Sequence, residues 1–327
     1  MIRKLIGLNT RFLELACRGL AAMPGFARNA AIRIAVKSSE NMVAAADHPT
    51  RIVWFVTNRC DARCAHCFYH SSINRNDIEE LTKSELIQVI HSFTKPLDVV
   101  TLTGGEPTTR EDLPDICAAL HDICNVKKIA IVTNGLEPGR VIDCVRNITE
   151  RVNVNLHLNV SIDGLEDDHD RIRGVRGSFA NAVETVSRLK EISRITRRLN
   201  RVAVQTVIWH NDTDKLSQLV DFVDKELQAP QQFQWLRDDR NLHLPFESEA
   251  LAIHRPAQEW PGSMSIDDME KIYEMLKGRM SARKNVSIMD KRDMAILYYG
   301  IEAMKGSRLP FKCLAGTTDC VIYPDGQ

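Results

Sequence analysis

Three cysteines fall within eight residues of the stretch TNRCDARCAHCFYH (57–70): Cys60, Cys64 and Cys67, in the pattern C-x3-C-x2-C. Thiolates this close together suit a soft or borderline metal centre. The cysteines alone leave two centres open. A closed zinc site could recruit His66 or His70 as its fourth ligand and would only brace the loop. An iron–sulfur cube has four irons, so three protein thiolates would leave one iron without a protein ligand. An open position of that kind binds substrate or cofactor.

Other short stretches carry residues of the same interest. In TGGEP (103–107) two glycines let a ligand approach the backbone closely, and Glu106 offers a carboxylate to an ammonium group. TNG (133–135) presents Asn134. SIDG (161–164) presents Ser161 and Asp163, a hydroxyl and a carboxylate suited to a ribose. Each alone is weak, because such tri- and tetrapeptides are more often turns or helix caps.

The elements that must position these residues follow from periodicity. Short apolar, β-rich runs predict strands at 51–58, 98–105, 127–135, 154–164, 201–211 and 232–237. Helical spacing predicts helices at 81–93, 110–124, 139–147, 178–193 and 216–227, the first with a Thr82/Glu85 capping box. Strands alternating with helices make right-handed βαβ units on a parallel sheet. The expected fold is therefore α/β, a partial (β/α)6 TIM-like barrel. In such folds the chemistry sits in loops at the C-terminal ends of the strands. The cysteine loop, TGGEP, TNG and SIDG end the first four strands in order, which turns alone do not explain.

With those four signals in place, residues 50–240 resemble the radical S-adenosylmethionine (SAM) superfamily. The resemblance implies a [4Fe–4S] cluster on Cys60, Cys64 and Cys67, with SAM on the open iron. It implies His66 near the adenine, Gly104, Gly105 and Glu106 at the methionine ammonium, and Ser161, Asp163 and Asn134 about the ribose or carboxylate. Arg173 joins them because SIDGLEDDHDRIRGVRGSF (161–179) resembles the branch with a C-terminal SPASM or Twitch extension. The activity implied is reductive cleavage of SAM to a 5′-deoxyadenosyl radical that removes a hydrogen atom from a substrate. That substrate would be a peptide or protein; a lipid or other small metabolite is the alternative, and a non-catalytic zinc or iron–sulfur protein the competing class. A one-electron reductant such as flavodoxin or ferredoxin is implied as partner.

The rest of the chain sets bounds. It has 327 residues, 44% hydrophobic and 26% charged, the composition of a globular enzyme. Lys+Arg and Asp+Glu both total 43, so no global charge points to nucleic acid. Nine cysteines, an odd number without a signal peptide, argue for a reducing, cytoplasmic setting. Residues 1–47 read as a basic amphipathic helical segment able to touch an anionic membrane or dock on the main domain. Residues 48–240 read as the core barrel, and 241–312 as a lid loop with connecting helices.

The tail, 313–327, reads as the start of a SPASM/Twitch-like region. Cys313 is a ligand candidate there, and an auxiliary iron–sulfur cluster is expected only if the chain continues. Cys17, Cys117, Cys124 and Cys144, on helices without ligand spacing, read as core residues, as does Cys320. Trp209, Trp235 and Trp260 read as pocket or core.

Overall fold

The computed structural model describes residues 48–70, 72–236, 264–283, 288–309 and 315–327. The expectations placed on 1–47, on most of the lid, on Trp260 and on Cys313 lie outside the described residues.

All six expected strands form: β1 (Arg51–Thr57), β2 (Val99–Gly104), β3 (Lys128–Thr133), β4 (Asn155–Ser161), β5 (Leu199–Ile208) and β6 (Gln231–Trp235). Between them run α1 (Lys83–Ser92), α2 (Leu113–Cys124), α3 (Pro138–Arg151), α4 (Glu166–Arg173), α5 (Ser178–Ile195) and α6 (Thr213–Phe222). Two further helices follow, α7 (Ile266–Ser281) and α8 (Ile288–Met304). The tail adds β7 (Asp319–Ile322), parallel to β1 in the register Arg51↔Asp319 to Trp54↔Ile322. The sheet order is β6-β5-β4-β3-β2-β1-β7, a curled half-barrel with every neighbouring pair parallel. Part of the tail thus completes the core sheet. The Thr318 carbonyl accepts from the Thr50 and Arg51 amides at 2.9 Å, and Pro324 accepts from Leu81 at 2.7 Å.

Two elements were hidden from periodicity. α4, EDDHDRIR, has no apolar stripe and buries only His169, Ile172 and Arg173. Its acidic first turn and basic last turn complement the helix dipole, and Gly174 closes it in the left-handed region. β7 is only four residues long. The expected helix at 110–124 starts late, at Leu113, because Arg110 is spent elsewhere. It binds Asp112 and donates to the carbonyls of Val56 and Leu81 at 3.0 Å.

Alternate strand residues point to opposite sides of the sheet. The outward set includes Ile52, Trp54, Leu102, Ile131, Leu158 and Val204, which join the apolar faces of α1, α2, α3 and α5 in one core. A second core gathers α6, α7 and α8 around Ile208, Phe233 and Trp235. Trp235 belongs there: its indole N–H donates to the Leu297 carbonyl at 2.9 Å, and its ring fills the space over Gly300. The Thr82/Glu85 capping box at α1 is present as expected.

Leu102 is fully buried between β2 and its covering helices. Leu102→Ala is expected to cost about 2–5 kcal/mol, the range for a buried Leu that leaves a cavity. Urea unfolding followed by circular dichroism checks this, and a loss below 1 kcal/mol would contradict this packing.

Candidate functional site

The loop that carries the cysteines is fastened at both ends by backbone. At its start, the ends of β1 and β2 touch main chain to main chain. The Gly105 amide donates to the Thr57 carbonyl, and the Glu106 amide to the Arg59 carbonyl, both at 2.7 Å. Gly104 has φ +136, and a Cβ there would lie 2.3 Å from the Thr57 oxygen. A Cβ on Gly105 would lie 2.1 Å from the Arg59 oxygen. The two glycines are therefore required by the protein's own backbone, whatever ligand they also serve. At its far side the loop pairs with the end of α4, the Arg63 amide donating to Arg173 and the Ala65 amide to Ile172.

Asn74 clamps the first cysteine. Its side chain accepts from the Cys60 amide and donates to the Cys60 carbonyl, each at 2.9 Å. Asn74 sits at φ +56, a conformation Asn tolerates better than most residues. Glu80 holds the chain just before, accepting from the Thr57 hydroxyl at 2.7 Å and from the Asn58 amide. Neither residue carries a sequence signature, because both act from a distance along the chain.

The three cysteines form no disulfide and lie against Ala62, Leu136 and Val175. Burial pushes the Cys60 and Cys67 thiols up to about 12. N–H groups face the sulfurs: Ala62 on Cys60 at 3.4 Å, and the Arg173 Nη1 on Cys64 at 3.4 Å. No group of three or more His, Cys, Asp or Glu side chains among the described residues converges on a single-ion site. His66, one candidate fourth zinc ligand, has its Nε2 3.3 Å from the Asp163 carboxylate. A cluster gives each thiolate its own iron and needs no such convergence.

Glu106 is fully buried. Its Oε1 accepts from the Thr108 amide at 3.2 Å, the Thr108 hydroxyl at 2.6 Å and the Thr133 hydroxyl at 2.8 Å. Its Oε2 accepts from the Asn134 amide at 2.7 Å. Burial raises this carboxyl above its ordinary range despite those donors. The same contacts bring the ends of β2 and β3 together, and they explain why TGGEP and TNG belong to one site. The Asn134 side chain donates to Asp61, which also binds Arg140.

Asp163 lies just past the end of β4 with a buried carboxylate. Arg173 binds one oxygen, with His66 beside it; the Val207 amide donates to the other at 2.8 Å. Burial alone would raise this carboxyl, but Arg173, then His66 and His169, overcome it and hold it low. Ser161 shares the inner face of β4, in register with Gln205. A cavity of about 480 Å3 opens next to Asp163, lined also by Gly164, Thr206, Trp209, His210 and Lys215. Sequence reading missed Asp61, Asn74, Glu80, Arg140 and His169; the two threonines on Glu106 had only the signal of flanking its motif.

Gly105→Ala is expected to lower stability by about 1–3 kcal/mol through overpacking and to reduce iron incorporation in parallel. Denaturation curves and iron analysis test this, and a fully stable variant would refute the close approach. Arg173→Met strands the buried Asp163 charge and should cost about 3–5 kcal/mol, partly recovered in Asp163→Asn/Arg173→Met. Because the folded carboxyl titrates low, this contribution is present above the unfolded value of about 3.9 and fades as pH falls below it. Unfolding at pH 7 and pH 3 reads both effects.

A family model described as the radical SAM superfamily matches residues 54–223. Over 147 residues the chain is 34% identical to the Fe-coproporphyrin III synthase of Methanosarcina barkeri, covering 43% of this chain and 34% of that protein. Over 177 residues it is 26% identical to the GTP 3′,8-cyclase of Alkaliphilus oremlandii, covering 54% and 52%. The chain thus spans between a third and about half of these curated relatives. The crystal structure of Streptococcus suis SuiB bound to its precursor peptide SuiA matches with a TM-score of 0.57 at 16% identity, covering 93% of this chain and 64% of that one. That likeness is one of fold.

Proposed function

The chain belongs to the radical SAM superfamily, whose cofactors are a [4Fe–4S] cluster and SAM, and on that premise we propose that it is a hydrogen-abstracting enzyme with its cluster on Cys60, Cys64 and Cys67. The observation that carries the reading is the cysteine loop itself. Three thiols in no disulfide lie under an apolar cover at the C-terminal mouth of a half-barrel, with N–H donors facing Cys60 and Cys64. When bound, the cluster and SAM supply a 5′-deoxyadenosyl radical by one-electron cleavage of the C5′–S bond.

The protein's own part is binding, orientation and exclusion of water. Cys60, Cys64 and Cys67 would hold the cluster, and three protein thiolates would leave it a position for SAM. We assign the ammonium to the mouth formed by Gly104, Gly105 and Glu106. The Glu106 Oε2 accepts a single hydrogen bond and keeps acceptor capacity for it. Ser161 and Asn134 line the same inner mouth and suit the ribose and carboxylate. Asp163 has both oxygens committed, so it acts by holding Arg173 against Cys64 and His66 toward the adenine side.

A peptide or protein substrate is one reading, consistent with the fold of the peptide-bound SuiB. A small metabolite is the second, and the curated relatives favour it: their names denote work on a porphyrin and on GTP. A flavodoxin or ferredoxin would supply the electron. No helix among the described residues is long and apolar enough to cross a membrane.

Anaerobically reconstituted protein should bind about four irons with sulfide and, with dithionite, release 5′-deoxyadenosine from SAM. Cys64→Ala should abolish that release, as should stripping the iron with a chelator. A single zinc in place of iron, or cluster-loaded protein that leaves SAM intact, would defeat the proposal.

A further inference from the structure

The cysteine loop is also an outer wall of the protein. Arg59, Asp61, Arg63 and Ala65 are exposed, and they alternate with Cys60, Ala62, Cys64 and His66, which are half-buried or buried. Cys60 and Cys64 are thus each flanked on both sides by residues open to solvent. The apolar residues packed with the cysteines are few: Ala62, Leu136 and Val175.

A second segment joins this surface. The turn after α4 lies against the loop: the Arg63 amide donates to the Arg173 carbonyl at 2.9 Å, and a Cβ on Gly174 would lie 2.8 Å from the Arg63 oxygen. Gly174 sits at φ +67, so backbone alone fixes the turn against the loop. Val175 then packs with Ala62 and Leu136, while Arg176 stays exposed. Arg63 and Arg176 therefore flank the apolar cover of the cysteines.

The charged groups of this surface differ in how they are engaged. Arg140 binds Asp61, and Arg59 lies 3.5 Å from Glu80. Asp170, beside the turn, accepts from the Gly177 and Phe179 amides and the Ser178 hydroxyl. Arg63 donates only to the carbonyls of Cys60 and Ala62. Arg176 has no hydrogen-bond or ion-pair partner among the described residues. Two positive charges beside the cysteines are thus left without a carboxylate. Against them stands Glu137, exposed next to Leu136 and itself without a cation among the described residues.

We propose that this face, Arg63 and Arg176 about the Ala62, Leu136 and Val175 cover, is where an acidic one-electron carrier protein docks to reduce the cluster. This rests on the radical SAM reading of the cysteine loop. Electron transfer weakens steeply with distance, so the carrier belongs where the ligand loop itself meets solvent. Redox encounters are small, and charge steers them more than buried area holds them. Carboxylates about the carrier's redox centre pair with the two guanidinium groups, and its apolar rim meets the cover. The arginines also offset the thiolate charge that would repel an acidic partner. One electron leaves the carrier, which is oxidised, and enters the cluster, which is reduced; no bond or proton moves.

The test titrates the full, cluster-loaded chain with a bacterial flavodoxin and, separately, a ferredoxin, read by calorimetry at rising ionic strength. Saturable binding of at least one carrier is expected, weakening as salt screens the charges. The carrier that binds identifies the donor as flavin or iron–sulfur. Arg63→Glu/Arg176→Glu should bind at least tenfold more weakly at low salt. Glu137→Gln, which removes an opposing carboxylate, should bind as tightly or more so. If the double variant fails to fold because Arg63 also bonds the loop carbonyls, Arg176→Glu leaves those bonds and should bind several-fold more weakly. With limiting carrier, Arg176→Glu should also release 5′-deoxyadenosine more slowly, whereas dithionite, which needs no docking face, should drive it at the native rate. No saturable binding of either carrier, binding indifferent to salt, or equal binding by native and variant proteins overturns the proposal. SAM cleavage by the native protein with dithionite is measured separately. Its absence defeats the radical reading, while cleavage without carrier binding defeats the docking face alone.

Discussion

One buried guanidinium connects the parts of the site. Arg173 binds the Asp163 carboxylate past the end of β4, faces the Cys64 sulfur with a second nitrogen, and accepts the Arg63 amide on its own backbone carbonyl. Burying an ion pair costs desolvation, and the cost is met only where the remaining lone pairs and protons are also satisfied. The second Asp163 oxygen takes the Val207 amide, so the carboxylate is complete. Three thiolates within eight residues repel one another. Arg173 is the cation that lies against one of them and pulls on a second, Cys67. Electrostatics and backbone therefore fix the same loop from the same residue.

The opposite side of the loop is held without charge. There the constraint is distance: main chain from β2 lies so close to main chain from β1 that side chains are excluded at 104 and 105. Glu106 then turns the junction into a hub by accepting from Thr108, Thr133 and Asn134. A buried carboxylate with four donors is rigid, and a rigid hub serves a cofactor that must be held in one pose for bond cleavage. The loop is thus anchored by packing on one flank and by an ion pair on the other.

How much of this the sequence disclosed depends on the range of each interaction. The strands, the capped α1 and the position of every motif at a strand end follow from local patterns, and the structure places them so. The partners do not follow. Asn74 meets Cys60 fourteen positions away, Asp61 meets Asn134 seventy-three away, and Cys64 meets Arg173 a hundred and nine away. α4 escaped because a helix that buries one aliphatic side chain shows no apolar stripe. β7 escaped because four residues near the end of the chain cannot be told from a loop until β1 is there to pair with them. The glycines were visible, but their reason was not: a ligand and a neighbouring backbone demand the same absent Cβ.

The inner face carries a further consequence of the parallel topology. Parallel strands covered on both sides read as nearly continuous apolar runs. β4 instead alternates, with Leu156, Leu158 and Val160 outward and His157, Asn159 and Ser161 inward, and β5 and β6 present Arg201, Gln205, Gln232 and Gln234 inward. That alternation belongs to a sheet with one wet face. The interior is a trough, with Val53, Val99 and Val321 on one side and the polar residues of β4, β5 and β6 on the other, and it differs from the packed core of a closed barrel. Cohesion must then come from the convex side, where the outward strand residues meet the helices. This division leaves the inner face free to be shaped by what it binds, because few of its residues are needed to hold the sheet together.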